Sequence, residues 1–297
     1  MCLSSVTLAE DDVLPPEQIS LKTSDNVSLA VWYYRVAKDL VPKATVVVIH
    51  DFGGSHETVE PLSLGLQSSG YAVLTPDLRG HGESQMTRNG RNVTSKTLRK
   101  PDVLAITAST GGRIRQQARA RGDLETIYQW IDKQSVSENL DKARLCVAGC
   151  GDGATLGALW TVADASWPAI TSGPQGGQVK ALALISPSLT ARAGVTMLPA
   201  MKTNVFRGSL PILLLSGSGD RDANKLTDQL IRIRPEKWMT RGPGNKKDQA
   251  EEVESASDAS VICMQLNASL SADELASDAS AKVPSLVASF FDMALKH

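Results

Sequence analysis

Residues 71–84 read YAVLTPDLRGHGES: an apolar run that stops at Pro76-Asp77 and passes into a loop built on glycine, histidine and charge. Four or more consecutive apolar residues without alternation suit a strand buried on both faces, the condition of a central strand in a parallel sheet. Working outward, the same pattern recurs as ATVVVIH (44–50), ARLCVAG (143–149), VKALALIS (179–186), PILLLSG (211–217) and ASVICMQL (259–266). Helical patterns separate these runs: 57–69, about 116–134, one beginning near Gly153, 222–234 and 282–296. Strands alternating with helices from residue 45 onward predict a parallel sheet with crossover helices. Ahead of them, QISLKTS (18–24) and VSLAVWYYR (27–35) alternate apolar with polar about the turn-forming pair Asp25-Asn26 and predict a hairpin. Residues 85–115 show no strong period, and 241–258 read as a polar connector.

The chain has 297 residues, 42% hydrophobic and 21% charged, which suits a globular protein with a substantial core. One α/β domain over 15–297 is expected, behind a tail at 1–14. Thr7-Leu8-Ala9 before an acidic run resembles the end of a signal peptide, so the tail reads as a remnant of one if the protein is exported. The triplets at Asn26, Asn92 and Asn267 fit the glycosylation pattern but recur by chance. No apolar run reaches the length of a spanning helix. The formal net charge is −1, which gives no global reason to expect nucleic acid. That balance conceals a dipole: nine Lys/Arg against Asp102 alone between Arg88 and Arg121, and eight acids without a base between Asp248 and Ala279. Two solvated faces, an anionic partner on the basic segment, or a charge-driven assembly surface all follow from such a distribution. Cys2, Cys146, Cys150 and Cys263 form no CxxC pair, so neither zinc nor a disulfide framework is indicated. GCGDG (149–153) lacks the G-x-G-x-x-G spacing of a dinucleotide site, and no cofactor is expected.

Taken together, the element order and the strand followed by Asp77-x-x-Gly80-His81-Gly82-x-Ser84 resemble the α/β-hydrolase fold, in its branch of monoacylglycerol lipases, lysophospholipases and serine aminopeptidase-like enzymes. The resemblance covers nearly the whole chain and implies a mostly parallel sheet of about eight strands with helices on both faces. His50-Asp51-Phe52-Gly53-Gly54 is similar to the family's His-Gly-x-Gly loop, with Asp51 in place of the first glycine. The resemblance makes the Phe52 N–H one oxyanion donor and the Asp152 N–H the other. Asp51 puts a negative charge where an oxyanion would form.

The triad positions implied by the resemblance are only partly filled. In LCVAGCGDGA (145–154), Gly149 and Gly153 match the small residues flanking the nucleophile elbow, which leaves Gly151 at the nucleophile position. Asp220, in PILLLSGSGDRDAN (211–224), matches the acid. The histidine should stand near Ser269-Leu270-Ser271, with Ser271 at its approximate place, but the chain has no histidine between His81 and His297. A hydroxyl and its general base are therefore both missing, and the expectation is a degenerate hydrolase that binds an unidentified small molecule or partner protein. A one-residue shift offers Cys150 as nucleophile, as in dienelactone hydrolases, and with it an active ester or peptide hydrolase; against it, Asp152 would fill a position that needs a very small residue. His50 and His81 are expected to brace loops, Trp160 and Trp167 to pack, and residues 187–210 are too few for a large helical lid.

Overall fold

The computed structural model describes residues 14–37, 40–88, 90–108, 122–135, 140–167, 176–234, 238–241 and 260–296. A nine-stranded sheet runs through it: β1 (Glu17–Lys22), β2 (Ser28–Tyr34), β3 (Thr45–Ile49), β4 (Ala72–Pro76), β5 (Leu145–Cys150), β6 (Val179–Ile185), β7 (Ile212–Ser216), β8 (Trp238–Arg241) and β9 (Val261–Gln265). Their spatial order is β1-β2-β4-β3-β5-β6-β7-β9-β8. β1 and β2 pair antiparallel, as do β2 and β4, and every later pairing is parallel. Eight of these strands are those expected. The ninth, β8, has only four residues beside the polar connector, too short for a period to register.

The pleat sends successive side chains to opposite faces, and both faces are covered. Along β3, Val47 and Ile49 enter one core while Val46 and Val48 enter the other; along β5, Leu145 and Val147 part from Cys146, Ala148 and Cys150 in the same way. Helices α2 (Lys100–Ile106), α3 (Asp123–Gln134), α4 (Asp152–Ala165) and α5 (Arg221–Ile233) cover the first face. Helices α1 (Glu60–Ser68), α6 (Ala272–Ser277) and α7 (Val283–Ala294) cover the second. This doubly covered sheet explains why the central strands carry almost no polar residues. Of the helix expected over about 116–134, the described part is α3; residues 116–121 lie outside the described residues, as does nearly all of 241–258. Of the stretch 85–115, the described part up to residue 108 is less irregular than its sequence suggests. It holds a hairpin of three-residue strands, Met86–Arg88 with Arg91–Val93, and the seven-residue α2, elements too short to show a period.

The loop after β4 is braced by buried charge. The Arg79 guanidinium, 1% exposed, bonds Asp123 of α3 and Asp25 of the first hairpin, so one side chain ties three segments together. Asp77 accepts from the backbone N–H groups of His56 and Glu83 at 2.7 and 2.8 Å. No described helix is long and apolar enough to cross a membrane.

Candidate active site

Between β5 and α4 the chain turns sharply on Gly151, whose φ of 54° and ψ of −119° are conformations open to glycine and strained for other residues. The flanking glycines are required by space. A Cβ on Gly149 would meet the Ala154 Cα at 2.6 Å, and one on Gly153 would meet the His50 carbonyl oxygen at 2.3 Å. The strained turn thus falls on Gly151, and Cys150, still in β5, points down into the core that α1, α6 and α7 cover.

A Cβ built on Gly151 would lie 2.2 Å from Oδ1 of Asp51. The space above the turn is taken by that carboxylate, carried on the loop after β3. Asp51 accepts the N–H of Asp152 at 2.7 Å and is also bonded by the N–H of Phe52. Those are the two backbone groups expected to hold an oxyanion, and here both hold a side chain of the same molecule. The site is suited to it, because Asp152 opens a fourteen-residue helix whose N-terminal N–H groups and dipole favour a negative charge. Burial nonetheless outweighs these bonds and pushes the Asp51 carboxyl up to about 6, with Asp152 and Asp273 adding repulsion.

Asp273, on α6, fastens the loop from the other side. Its carboxylate accepts the Asp51 backbone N–H at 2.8 Å and the Thr58 hydroxyl at 2.5 Å, and takes the Cys150 thiol as a further donor. Burial first, then the charges of Asp273 and Asp51, push the Cys150 thiol well above its ordinary pKa. Sequence reasoning looked for a histidine two residues earlier and missed Asp273. The signal available was an acid at the start of the final helical region, read only as part of an acidic run.

The other expected positions open onto one cavity of about 500 Å3 at the carboxyl ends of the strands, lined among others by Asp51, Gly151, Ser186, Asp220 and Ser271. Asp220 is the N-cap of α5, accepting the Ala223 N–H at 2.9 Å, and its second oxygen takes the Ser186 hydroxyl. Ser271, exposed, is the N-cap of α6. The fold therefore brings Gly151, Asp220 and Ser271, the positions that the resemblance assigns to a triad, around one cavity.

None of the three described histidines lines this cavity. His50 is fully buried; its Nε2 accepts the Leu78 N–H at 3.0 Å, so Nδ1 carries the proton and donates to the Asp51 carbonyl at 2.6 Å. Burial and the neighbouring His81 lower its pKa to about 4, which keeps it neutral. His81 packs edge-on against Phe52 with ring centroids 4.6 Å apart, and its Nδ1 donates to the Arg79 carbonyl at 3.1 Å. His56 stacks on Trp32 at 3.4 Å and contacts Asp77 at 3.1 Å. Trp160 is buried in the core. His297 lies outside the described residues, as do Arg113, Arg115, Arg119 and Arg121 of the basic segment and the acids from Asp248 to Asp258. No group of His, Cys, Asp and Glu able to hold a metal occurs among the described residues.

The order 1-2-4-3 continued by parallel strands, with the elbow after the fifth, defines an α/β-hydrolase fold. Residues 41–203 match the family model of the serine aminopeptidases, S33, which span the His50 loop, the elbow and β6; the chain belongs to that family. Solved structures agree on the fold. The Pyrococcus furiosus esterase Pf2001 aligns with a TM-score of 0.58 at 15% identity, over 94% of this chain and 90% of that one. EstE1, a thermostable carboxylesterase cloned from a metagenomic library, aligns at 0.59 and 15%, over 95% and 90%. The Pyrobaculum calidifontis esterase aligns at 0.57 and 16%, over 95% and 85%. At these identities the likeness concerns the fold. No curated protein matches the sequence significantly.

Proposed function

We propose that this member of the hydrolase family has given up ester and amide hydrolysis and acts by binding a small molecule in the cavity above the elbow. The observation that carries this reading is the Asp51 carboxylate on the Asp152 N–H, in the space where a nucleophile's side chain would project from residue 151. Acyl transfer needs a nucleophile, a base within hydrogen-bond reach and donors for the developing oxyanion. Residue 151 has no side chain, no histidine follows His81 before the last residue, and the donors are already engaged. An oxyanion hole alone sustains a residual acceleration of roughly 10^3-fold or more in triad-less hydrolases. A hole filled by a fixed carboxylate forfeits that residue as well, because a second anion beside Asp51 is repelled.

The alternative, hydrolysis through Cys150, fares worse on chemistry: its thiol is buried, donates to a carboxylate and is held in the unreactive protonated form. The test is turnover of short- and medium-chain p-nitrophenyl esters by wild type, Cys150→Ala and Gly151→Ser. The expected result is no turnover above buffer in any of the three. Wild-type turnover that disappears in Cys150→Ala would overturn the reading and establish a cysteine hydrolase.

A further inference from the structure

Among the described residues, the Asp51 anion that lines the cavity is left without a cation. Asp51 is mostly buried, and no described Lys or Arg pairs with it; its partners are the two backbone N–H groups. Hydrogen bonds of this kind hold a carboxylate in place without cancelling its charge, and a carboxylate half out of water gains most from a cation brought to it. The walls add to the effect. Asp220 and Asp222 line the same cavity against one base among its described lining residues, the exposed Arg221, and Ser188, Ser269 and Ser271 line it as well. Asp222 reaches only a long contact with Lys225, at 3.6 Å, and the Asp222 carboxylate accepts the Leu189 N–H at 3.2 Å.

We propose that the ligand of this cavity is a small hydroxylated primary amine, its ammonium seated on Asp51 and its hydroxyls among the wall serines. This rests on the reading of the site as a binding cavity and deepens it. The geometry selects by charge. An ammonium at Asp51 donates to the carboxylate oxygens not already saturated by the loop, a bond charge-assisted on both sides. A carboxylate ligand meets Asp51, Asp220 and Asp222 and is rejected, the reverse of what an open oxyanion hole would select.

Three probes of one size separate charge from shape: serinol (2-amino-1,3-propanediol), glycerol and glycerate. Each is titrated into the full-length, isotope-labelled chain, with the Asp152 backbone amide as the reporter because it donates to Asp51. Serinol should bind at least tenfold more tightly than glycerol, and glycerate should leave the amide unmoved. Asp51→Asn keeps an acceptor for the Asp152 N–H and should bring serinol down to the affinity of glycerol; intact unfolding curves confirm that the variant is folded. Equal binding of serinol and glycerol, tighter binding of glycerate, or no binding of any probe overturns the amine assignment. The ester assay above is independent of these titrations, so loss of the amine assignment and loss of the non-hydrolytic reading are told apart.

Discussion

Replacing Gly151 by serine restores the nucleophile in name, and the structure says how much that costs. The new Cβ would lie 2.2 Å from Oδ1 of Asp51, 2.4 Å from its Cγ and 2.8 Å from Oδ2, so the carboxylate has to leave. Its departure gives up the charge-assisted bond from the Asp152 N–H, roughly 1.5–3 kcal/mol. The backbone at φ 54°, ψ −119° adds strain of about 1–3 kcal/mol for a residue with a side chain. Gly151→Ser should therefore destabilise by roughly 2.5–6 kcal/mol. With Asp51→Ala already present, only the strain remains and the same substitution should cost about 1–3 kcal/mol. Equilibrium urea unfolding of the four proteins, followed by far-UV circular dichroism, closes the cycle, with a coupling of at least about 1 kcal/mol expected for groups in contact. Equal cost of Gly151→Ser in both backgrounds would refute the placement of Asp51 over the elbow.

The remaining predictions concern charge and thiols. Burial raises the Asp51 carboxyl from 3.8 to about 6, so the native state binds this proton more tightly than the unfolded chain; the stability it contributes is present below about pH 4 and lost as pH rises through about 6. The stability difference between wild type and Asp51→Asn should decline across that window, and a flat difference would contradict the burial of the charge, to which Asp152 and Asp273 also contribute. Cys146, Cys150 and Cys263 are buried with raised pKa, so in a Cys2→Ser background a thiol reagent at neutral pH should label the chain only after denaturation. Asp123→Ala leaves the buried Arg79 guanidinium with only the partly exposed Asp25 and should cost about 3–5 kcal/mol in the same urea assay; a loss under about 1 kcal/mol would show that the Arg79 network does not brace the loop.

Much of this architecture is legible in the residues, for reasons that differ from element to element. The central strands are apolar on both faces because helices cover both, so 45–49, 145–150 and 212–216 stand out without alternation. The elbow is legible because Gly149 and Gly153 are sterically compelled, and the missing histidine because a residue absent from 82–296 cannot be supplied by folding. The misplaced charge at Asp51 could be read from its loop. Its bond to Asp152 could not, since the two are 101 residues apart and meet only when β3 pairs with β5. Asp273 and Ser186 escaped for the same reason: each acts through a partner distant in sequence, Asp51 in one case and Asp220 in the other.

The elbow holds a carboxylate and no nucleophile, and that arrangement can be put to a chemical test. The test is made by incubating the purified wild-type chain with an alkyl fluorophosphonate, which phosphonylates activated serines with loss of fluoride, and recording its intact mass. An unmodified mass is expected at a concentration and time that fully label a working esterase of the same fold. A stoichiometric single adduct, mapped to a serine on the cavity wall such as Ser186 or Ser271, would contradict it and return the chain to the active hydrolases.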